Sequence, residues 1–234
     1  MPKIDKLIES IPMEEHIVKI LEIIPVTHNV KHYRVEKPAG YSFIPGQATE
    51  VCINKPEWES ESRPFTFTSL NDWDFLEFTI KSYPNHEGVT KELDKLVPGD
   101  ELILHDVWGA IHYVKPGLFI AGGAGVTPFI SILRDLQFKG ELNGNRLLFA
   151  NKTKKDIILF EEFKEMLGDN FINLLSEEDA DGYYFGYLTE EILELYYNNK
   201  TDYSYLCGPP QMMKSVQVLL EKLGITEKNL IIEL

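Results

Sequence analysis

The sequence predicts a two-domain fold, an antiparallel β-barrel over residues 12–114 followed by an α/β domain with a parallel sheet over residues 115–234. Two observations predict this division. The first half contains short apolar or alternating runs separated by Pro, Gly and Asn turns, which is typical of antiparallel strands. The second half alternates strand-like runs with segments of helical period, which is typical of a parallel sheet with helices on both faces.

Six strands and one short helix are predicted in the first half. The helix covers residues 90–96, with Thr90 as its N-cap or a first-turn residue. So many short strands with a single helix favour a small closed barrel. The predicted strands cover residues 17–24, 30–37, 49–53, 63–69, 76–81 and 101–106.

Five strands and four helices are predicted in the second half. The first helix takes Thr127 as N-cap and Pro128 as its first residue. The second ends at Gly168, the third begins at Thr189, and the fourth ends at Gly224. The fourth helix presents Met212, Val216, Leu219 and Leu223 on one face. The strands cover residues 118–121, 146–150, 171–175, 203–207 and 230–232.

Composition excludes several classes of protein. A net charge of −14 disfavours binding to nucleic acid and to anionic membranes. No apolar stretch reaches the roughly 20 residues of a membrane span, and the N-terminus lacks the apolar run of a secretory signal, so a cytoplasmic location is expected. The two cysteines, Cys52 and Cys207, are predicted to be reduced, and no metal site is expected because the six histidines are scattered.

The run Arg-Pro-Phe-Thr-Phe-Thr-Ser at residues 63–69 combines a cation, aromatic rings and hydroxyls on one predicted strand. Arg63 offers a bidentate fork to phosphate. Phe65 and Phe67 share its face because side chains two apart point the same way, and they could line a wall for a flat ring. Thr66 offers a hydroxyl to that ring. An ordinary edge strand with two core phenylalanines is an equally good reading of these residues alone.

Two glycine-containing turns precede predicted helices. Gly88, Val89 and Thr90 open the short helix of the first domain, and Gly-Gly-Ala-Gly at 122–125 links an apolar strand to a helix. Free N–H groups and the positive helix end suit phosphate at both places. A merely capped helix start and a tight strand–helix turn are the respective alternatives.

Cys207 ends a predicted strand of the parallel sheet, at the edge where such sheets bind ligands. Gly208 would let a planar ring approach, and Pro209 with Pro210 would stiffen the turn and begin the next helix. The alternative for Cys207 is a small buried hydrophobic residue.

In this order the runs resemble the ferredoxin–NADP reductase superfamily over essentially the whole chain. The resemblance implies a Greek-key FAD-binding barrel followed by an NAD(P)-binding parallel-sheet domain. It implies an NAD(P)H-dependent flavin oxidoreductase that passes a hydride from nicotinamide to FAD. Electrons would then go to a ferredoxin, a flavodoxin, another carrier protein or free flavin.

The resemblance also implies roles for individual residues. Thr66, Cys207 and Glu233 are the implied catalytic residues. Gly46 with Gln47 matches a further family dipeptide. The implied cofactor-binding residues are Arg63, Pro64, Phe65, Thr66, Ser69, Gly88, Val89, Thr90, Gly122, Gly123, Gly125, Thr127, Pro128, Cys207, Gly208 and Pro209.

The chain departs from the family pattern in ways that affect the expectation. Phe65 replaces a tyrosine and Thr66 a serine, and the terminal aromatic that many members stack on the flavin is absent beyond Glu233. The missing aromatic favours an alternative, a non-catalytic flavoprotein subunit that relays electrons or senses redox state in a larger complex.

NADH is expected to be slightly favoured over NADPH. The run Ser-Glu-Glu-Asp at 176–179 occupies the position where NADP-using relatives place a serine–arginine pair, and its carboxylates would repel the extra phosphate. Lys152, Lys154 and Lys155 are the counter-indication, because any of them could reach that phosphate.

Overall fold

The first six strands form one antiparallel sheet. The computed structural model describes residues 15–83, 87–197 and 203–232. Along the first sheet the strand order is β4-β3-β6-β1-β2-β5, so that β6 returns to lie between β1 and β3 in a Greek-key connection. The strands are β1 His16–Thr27, β2 Val30–Glu36, β3 Ala48–Ile53, β4 Arg63–Thr66, β5 Phe75–Lys81 and β6 Glu101–Trp108.

The sheet closes into a barrel where the chain leaves β4. Phe67 forms an antiparallel bridge with Phe78 of β5, and the Thr68 amide donates to the Glu77 carbonyl at 2.7 Å. Regular pairing with β3 therefore ends at Thr66, earlier than predicted, because the following residues turn to meet β5. Phe67 and Phe78 lie fully buried in the barrel core. The helix α1 (Val89–Leu93) packs its apolar residues into the same core.

The last six strands form a second, parallel sheet. Its order is β10-β9-β8-β7-β11-β12, and every pair is parallel. Four helices connect the strands. The strands are β7 Gly117–Gly122, β8 Arg146–Asn151, β9 Phe171–Leu175, β10 Tyr184–Phe185, β11 Tyr203–Cys207 and β12 Leu230–Ile232. The helices are α2 Thr127–Lys139, α3 Phe160–Leu167, α4 Glu190–Tyr196 and α5 Pro210–Lys222.

Helices cover both faces of the parallel sheet, because nearly every residue of its central strands is buried. Phe119 and Phe149 pack in a core with residues of α2 and α3. Leu118 and Leu148, one position away, pack in a second core with residues of α4 and α5. The predicted fold class is confirmed. The two-residue strand β10 is missed by sequence reasoning because it is too short to show a period.

Two local predictions are wrong. Thr127 is not an N-cap, because the 3-10 turn Gly123–Val126 runs directly into α2 and Thr127 is already helical, with its hydroxyl donating to the Ala124 carbonyl at 3.1 Å. In α5 the buried residues are Met213, Val216 and Leu220. Met212, Leu219 and Leu223 pack at the margin of that core, so the apolar stripe is displaced by one residue.

The barrel and the parallel-sheet half pack against each other through α2. The Gly46 amide donates to the buried Ser131 hydroxyl at 3.1 Å, and a Cβ on Gly46 would lie 2.5 Å from the Ile111 carbonyl oxygen. Val30 and Ile111 belong to the core that α2 covers. The predicted domain boundary between residues 114 and 115 stays a prediction. Among the described helices, none has both the length and the apolar character to cross a bilayer.

Candidate functional site

The parallel sheet has a topological switch point at β7. The chain proceeds from β7 to β8 on one side and later returns to β11 on the other side. The connections therefore diverge at the carboxyl end of β7, which is where open α/β sheets bind ligands. Gly122 ends β7 and Cys207 ends β11, with Ala121 and Cys207 paired in register. The structure thus brings two runs that lie far apart in sequence to one edge.

Three glycines in these runs are required by close packing. A Cβ on Gly125 would lie 2.5 Å from the Cys207 carbonyl oxygen and 2.6 Å from the Gly208 Cα. A Cβ on Gly208 would lie 3.2 Å from the Gly122 amide nitrogen, and one on Gly122 would collide with the Met212 sulfur. The turn after β7 and the loop after β11 therefore lock together, so packing accounts for these glycines whether or not a ligand is bound.

Gly123 differs from its neighbours. Its φ is +52°, and no atom of the described residues lies within 4 Å of the position that a Cβ would take. The backbone at Gly123 therefore borders open space at the switch point. Thr127 and Pro128 follow in the first turn of α2, a 13-residue helix whose positive end lies at this edge. This combination suits an anionic diphosphate.

Cys207 is half-buried at the carboxyl end of β11, whereas Cys52 is buried in β3 of the barrel. No disulfide joins them. Gly208 and Pro209 separate Cys207 from α5, and Pro209 is the residue that precedes this helix. Cys207 is thus held between a rigid turn and the glycine turn of the neighbouring strand.

The barrel brings together two further candidates for phosphate contacts. Arg63 is exposed at the start of β4, and a Cβ on Gly88 would lie 4.0 Å from its Nη2 atom. Gly88 has φ +143° and precedes α1, while Val89 is buried in the barrel core and Thr90 is half-buried in the first turn. A guanidinium and a helix-opening turn from distant segments therefore meet at one place.

The rest of the 63–69 run divides into a surface part and a buried part. Pro64 is exposed, and Phe65 and Thr66 are half-buried. Phe67 does not join the wall predicted for it, because it is fully buried against Phe43 with ring centroids 4.3 Å apart. Ser69 is also fully buried.

The hydroxyl of Ser69 accepts a hydrogen bond from the Glu77 amide at 3.1 Å, so it is used inside the barrel. Thr68 is buried beside it, and its hydroxyl donates to the Glu77 carboxylate at 3.1 Å. The buried position of Ser69 therefore gives no support to the expectation that this residue contacts a cofactor. The chain turns inward after Thr66 to pair with β5, which carries both hydroxyls away from the surface.

Glu77 is 1% exposed and lies between two arginines. Arg34 Nε donates to Glu77 Oε2 at 3.1 Å, and Arg134 Nη1 donates to Oε1 at 2.8 Å. Burial by itself would raise the pKa of the Glu77 carboxyl, but the charges of His32 and Arg134, with hydrogen bonds from both arginines, hold that pKa below its ordinary value. Burial lowers the pKa of His32, so the arginines supply the compensating charge at neutral pH.

The acidic run and the lysine cluster contact each other. Lys152 Nζ lies 2.7 Å from Glu177 Oε1, and Lys154 Nζ lies 3.4 Å from Glu178 Oε1. The hydrogen bond to Glu177 and its charge raise the pKa of the Lys152 ammonium group. Two of the three lysines that could favour NADPH are therefore paired with carboxylates of the acidic run, at the edge formed after β8 and β9.

Asn151 is a candidate that sequence reasoning misses. It ends β8 beside β7, is 8% exposed, and neither polar atom of its side chain has a hydrogen-bond partner among the described residues. A buried polar group without a partner costs about 1–3 kcal/mol, so a ligand or a water molecule is expected to satisfy it. The available signal is a polar residue at the carboxyl end of an apolar strand.

Two other expectations concern metals and the C-terminus. Within residues 15–83, 87–197 and 203–232, no group of three or more His, Cys, Asp and Glu side chains is placed to hold a metal ion. Glu233, an implied catalytic residue, lies outside the described residues.

Comparisons with known proteins agree with this geometry. The family model described as the oxidoreductase NAD-binding domain matches residues 119–218. The chain is 30% identical to the reductase component of propane 2-monooxygenase from Rhodococcus jostii over 94% of its length. It superposes on the structure of a ferredoxin NADP+ reductase from Neisseria gonorrhoeae with a TM-score of 0.79 and 18% identity, covering 94% of this chain and 98% of that one. The matched NAD-binding domain and the shared two-domain fold support the ferredoxin–NADP reductase superfamily.

Two further proteins match this chain over most of their own length. The chain is 27% identical to human NADH-cytochrome b5 reductase 1 over 93% of its length and 85% of that protein. The FAD/NAD-binding domain of a nitric oxide dioxygenase from Vibrio cholerae matches with a TM-score of 0.83 and 21% identity, covering 93% of this chain and 97% of that one. The chain spans 63% of the length of the Rhodococcus jostii protein, less than two thirds. These likenesses support the superfamily that the sequence predicts, and the solved structures share its fold.

Proposed function

We propose that the chain is an FAD-dependent NAD(P)H oxidoreductase of the ferredoxin reductase type, with NADH preferred as the electron donor. The observation that carries this proposal is the meeting of the glycine turn and Cys207 at the switch point of the parallel sheet. That edge belongs to an α/β half packed on a barrel in which Arg63 and Gly88 converge.

The residues of the barrel fit FAD. Arg63 and the backbone beside Gly88 would hold the diphosphate, because a guanidinium fork and free N–H groups both favour phosphate oxygens. Phe65 offers its half-buried ring to the flavin, and Thr66 offers a hydroxyl to the polar edge of that ring. Ser69 would support this strand from inside the barrel through Glu77.

The residues of the parallel-sheet half fit NADH. Gly123 leaves room for a diphosphate at the start of α2, with Thr127 in the first turn. Asn151, with its unsatisfied amide, would hydrogen-bond the nucleotide beside this turn. Cys207 and Gly208 would lie against the nicotinamide, because they end the strand on the other side of the switch point.

When bound, the cofactors would supply the redox chemistry, which is hydride transfer from nicotinamide to flavin and electron transfer onward to an acceptor. The chain supplies orientation. Thr66 and Cys207 come from different halves of the molecule, so they would define opposite sides of the place where the two rings stack. The packing of Gly125 on the Cys207 backbone fixes the position of that backbone. Glu233 stays a proposed catalytic residue, as the resemblance implies.

NADH preference is proposed because two of the three lysines near the acidic run already have carboxylate partners. Lys152 pairs with Glu177 and Lys154 with Glu178, so neither ammonium group is available to a 2′-phosphate without losing a carboxylate partner. The carboxylates would also repel that phosphate. Human NADH-cytochrome b5 reductase 1 is named for the same donor.

The acceptor is proposed to be a separate electron-carrier protein or free flavin. Two relatives are named as a reductase component of an oxygenase and as a cytochrome b5 reductase, and each of those names refers to an electron-accepting partner. A cytoplasmic location and the domain limits 12–114 and 115–234 also belong to this proposal.

The proposal is tested by anaerobic titration of the FAD-loaded protein. NADH is expected to bleach the visible absorbance of the flavin within milliseconds to seconds, and an artificial acceptor such as ferricyanide should then support many turnovers. Mass spectrometry of the released cofactor identifies it as FAD or FMN. Slow bleaching by both nucleotides, without turnover, would instead favour the non-catalytic electron-relay or redox-sensing subunit.

A further inference from the structure

A buried network of charges crosses from the barrel to the parallel-sheet half. Arg134 lies in α2, its side chain is 11% exposed, and its Nη1 atom donates to Glu77 Oε1 of β5 at 2.8 Å. The same Nη1 atom donates to the Thr68 carbonyl oxygen at 2.7 Å. A guanidinium from one half thus holds both a carboxylate and a backbone carbonyl of the other half.

A second carboxylate binds the guanidinium from the parallel-sheet half. Arg134 Nε and Nη2 donate to the two oxygens of Glu162 in α3, at 2.5 and 2.8 Å. The ring of Trp73 lies 5.4 Å from the Arg134 Cζ atom on the barrel side. Such a bidentate pair restricts the orientation of the guanidinium, which a single-point ammonium contact would not do.

Helix α2 has another fixed point on the barrel. Ser131 lies three residues before Arg134, so the two side chains emerge on one face of the helix. The buried Ser131 hydroxyl accepts a hydrogen bond from the Gly46 amide at 3.1 Å. Two contacts about one helical turn apart prevent α2 from rotating on the barrel surface as well as from lifting off it.

Both ends of this connection lead to the proposed site. Helix α2 begins at Thr127, directly after the glycine turn that packs on Cys207. On the barrel side, Thr68 lies two residues after Thr66, the last residue of the strand proposed to face the flavin. A shift of Arg134 relative to Glu77 would therefore change the separation of Thr66 and Cys207.

We propose that Arg134 is a positioning residue that fixes the barrel against the parallel-sheet half and thereby sets the approach of the nicotinamide to the flavin. The proposal rests on the function proposed above. It assigns no contact between Arg134 and either cofactor. Its effect passes through Glu77 and Thr68 on one side and through α2 on the other.

Arg34 provides a matched control. It donates to the other oxygen of Glu77 at 3.1 Å and to Glu22 at 2.8 Å, so all its ion pairs stay within the barrel. Arg34→Gln removes one positive partner of Glu77 without removing a contact between the two halves. Arg134→Gln removes the partner that joins them.

The first measurement is stopped-flow reduction of the bound flavin at saturating NADH, with the NADH dissociation constant from the same series. Arg134→Gln should lower the limiting reduction rate by about tenfold to a hundredfold, the effect of a misplacement near 1 Å. The dissociation constant should change by less than about threefold, because no nucleotide contact is lost. Arg34→Gln should leave the limiting rate within about twofold. An unchanged rate in Arg134→Gln, or an equal loss in both variants, would overturn the proposal.

The second measurement does not depend on activity. Spin labels at position 97 in the barrel and position 218 on α5, both highly exposed, report the distance between the halves, in a background where Cys207 is replaced by alanine. Arg134→Gln should broaden the distance distribution, and Arg34→Gln should leave it unchanged. A narrow, unshifted distribution in Arg134→Gln would refute the positional role even if the reduction rate fell.

Two further arms separate the possible failures. If wild-type flavin is not reduced by either nucleotide, the proposed function fails, while the distance measurement still decides whether Arg134 holds the halves together. If Arg134→Gln does not fold, Glu162→Gln is used in its place. Glu162 is 32% exposed, and this substitution removes only the carboxylate of α3 that binds the guanidinium. Glu162→Gln should broaden the same distribution to a smaller extent, and no broadening would overturn the proposal.

Discussion

Gly125, in the turn after β7, lies so close to Cys207, at the end of β11, that a Cβ on Gly125 would come within 2.5 Å of the Cys207 carbonyl oxygen. The two residues are separated by most of the α/β half of the chain. Their contact couples the glycine turn to the proposed nicotinamide side of the site. Because both sides of the contact are backbone, neither can relax by changing a rotamer.

Gly125→Ala should therefore destabilise the protein and displace Cys207. The added methyl group must push one backbone segment away from the other, and overpacking of this kind costs about 1–3 kcal/mol. Chemical denaturation measures the loss of stability, and the flavin reduction rate reports the displacement. A variant with wild-type stability and rate would show that the two loops are not packed in this way.

Gly123→Ala should weaken nucleotide binding more than it weakens the fold. The position has φ +52° and open space around it, so alanine meets backbone strain of about 1–2 kcal/mol without a clash. Gly140, at the C-terminal end of α2, has φ +71° and is similarly open, so Gly140→Ala is the matched control for strain. Isothermal titration with NAD+ should show weaker binding for Gly123→Ala alone. Equal affinities in the two variants would remove Gly123 from the site.

The sequence predicts the elements of this fold better than their contacts. Strands 171–175 and 203–207 match β9 and β11 residue for residue, because these short, mostly apolar runs are typical of strands buried on both faces of a parallel sheet. The inward turn after Thr66 is not predictable from the run itself, because it depends on β5 pairing with Phe67. For the same reason the sequence presents Ser69 as a surface residue.

The site shows a similar division. Arg63 and Gly88 are selected by their separate phosphate-binding chemistry, and the fold then brings them together. The Glu77–Arg134 pair gives no local signal, because its members are 57 positions apart and neither lies in a recognisable motif. Asn151 shows the opposite case, since its sequence position is suggestive but only its burial without a partner gives it weight.

Arg63→Ala should reduce flavin affinity. Loss of a hydrogen bond to a charged group costs about 1.5–3 kcal/mol, which corresponds to a dissociation constant that is tenfold to roughly hundredfold larger. Arg63→Lys keeps the charge but not the fork and should recover part of the affinity. Fluorescence titration of the apoprotein with FAD measures all three proteins. Full FAD affinity in Arg63→Ala would contradict the assignment. Because Arg63 is exposed, the free energy of unfolding of the variant should change little.

Stability should fall as the solution is acidified from neutral pH. The pKa of His32 in the folded protein is below its ordinary value of 6.5, because burial opposes its charge, and the pKa of Glu77 is below 4.5 because its positive partners outweigh burial. The unfolded chain then binds more protons than the folded one. The contribution of His32 to the free energy of unfolding is fully present above about pH 6.5. As the pH falls, the free energy of unfolding decreases by no more than about 1.4 kcal/mol per pH unit for each extra proton that the unfolded chain binds.

The His32 contribution can be separated by substitution. His32→Gln keeps a polar group near Thr79, which lies 2.9 Å from the His32 Nδ1 atom, but it cannot titrate. The urea midpoint of this variant should vary less between pH 7 and pH 5 than that of the wild type. The Glu77 contribution appears only at lower pH and should persist in the variant. Identical pH slopes for the two proteins between pH 7 and pH 5 would contradict the buried, neutral state of His32.

The last prediction concerns the nucleotide preference and the Lys152–Glu177 pair. Glu177→Gln removes the carboxylate that holds Lys152 Nζ at 2.7 Å, and it also removes one charge that repels a 2′-phosphate. Both changes favour NADPH. At about 4 Å, two unit charges interact by about 1 kcal/mol in water and more where solvent is partly excluded, so several-fold to tens-fold shifts are expected.

Measurement of kcat/KM for NADH and NADPH at one ionic strength decides the matter. Wild type should prefer NADH, and Glu177→Gln should raise kcat/KM for NADPH while leaving that for NADH nearly unchanged. Glu190→Gln, which breaks the exposed pair with Lys222 away from this edge, controls for the general effect of removing a negative charge. The double variant Glu177→Gln/Lys152→Ala should keep only the part of the gain that comes from the lost repulsion, because it has no released ammonium group to attract the phosphate. If NADPH is already preferred by the wild type, the lysines bind the phosphate in spite of their carboxylate partners, and the repulsion argument is wrong.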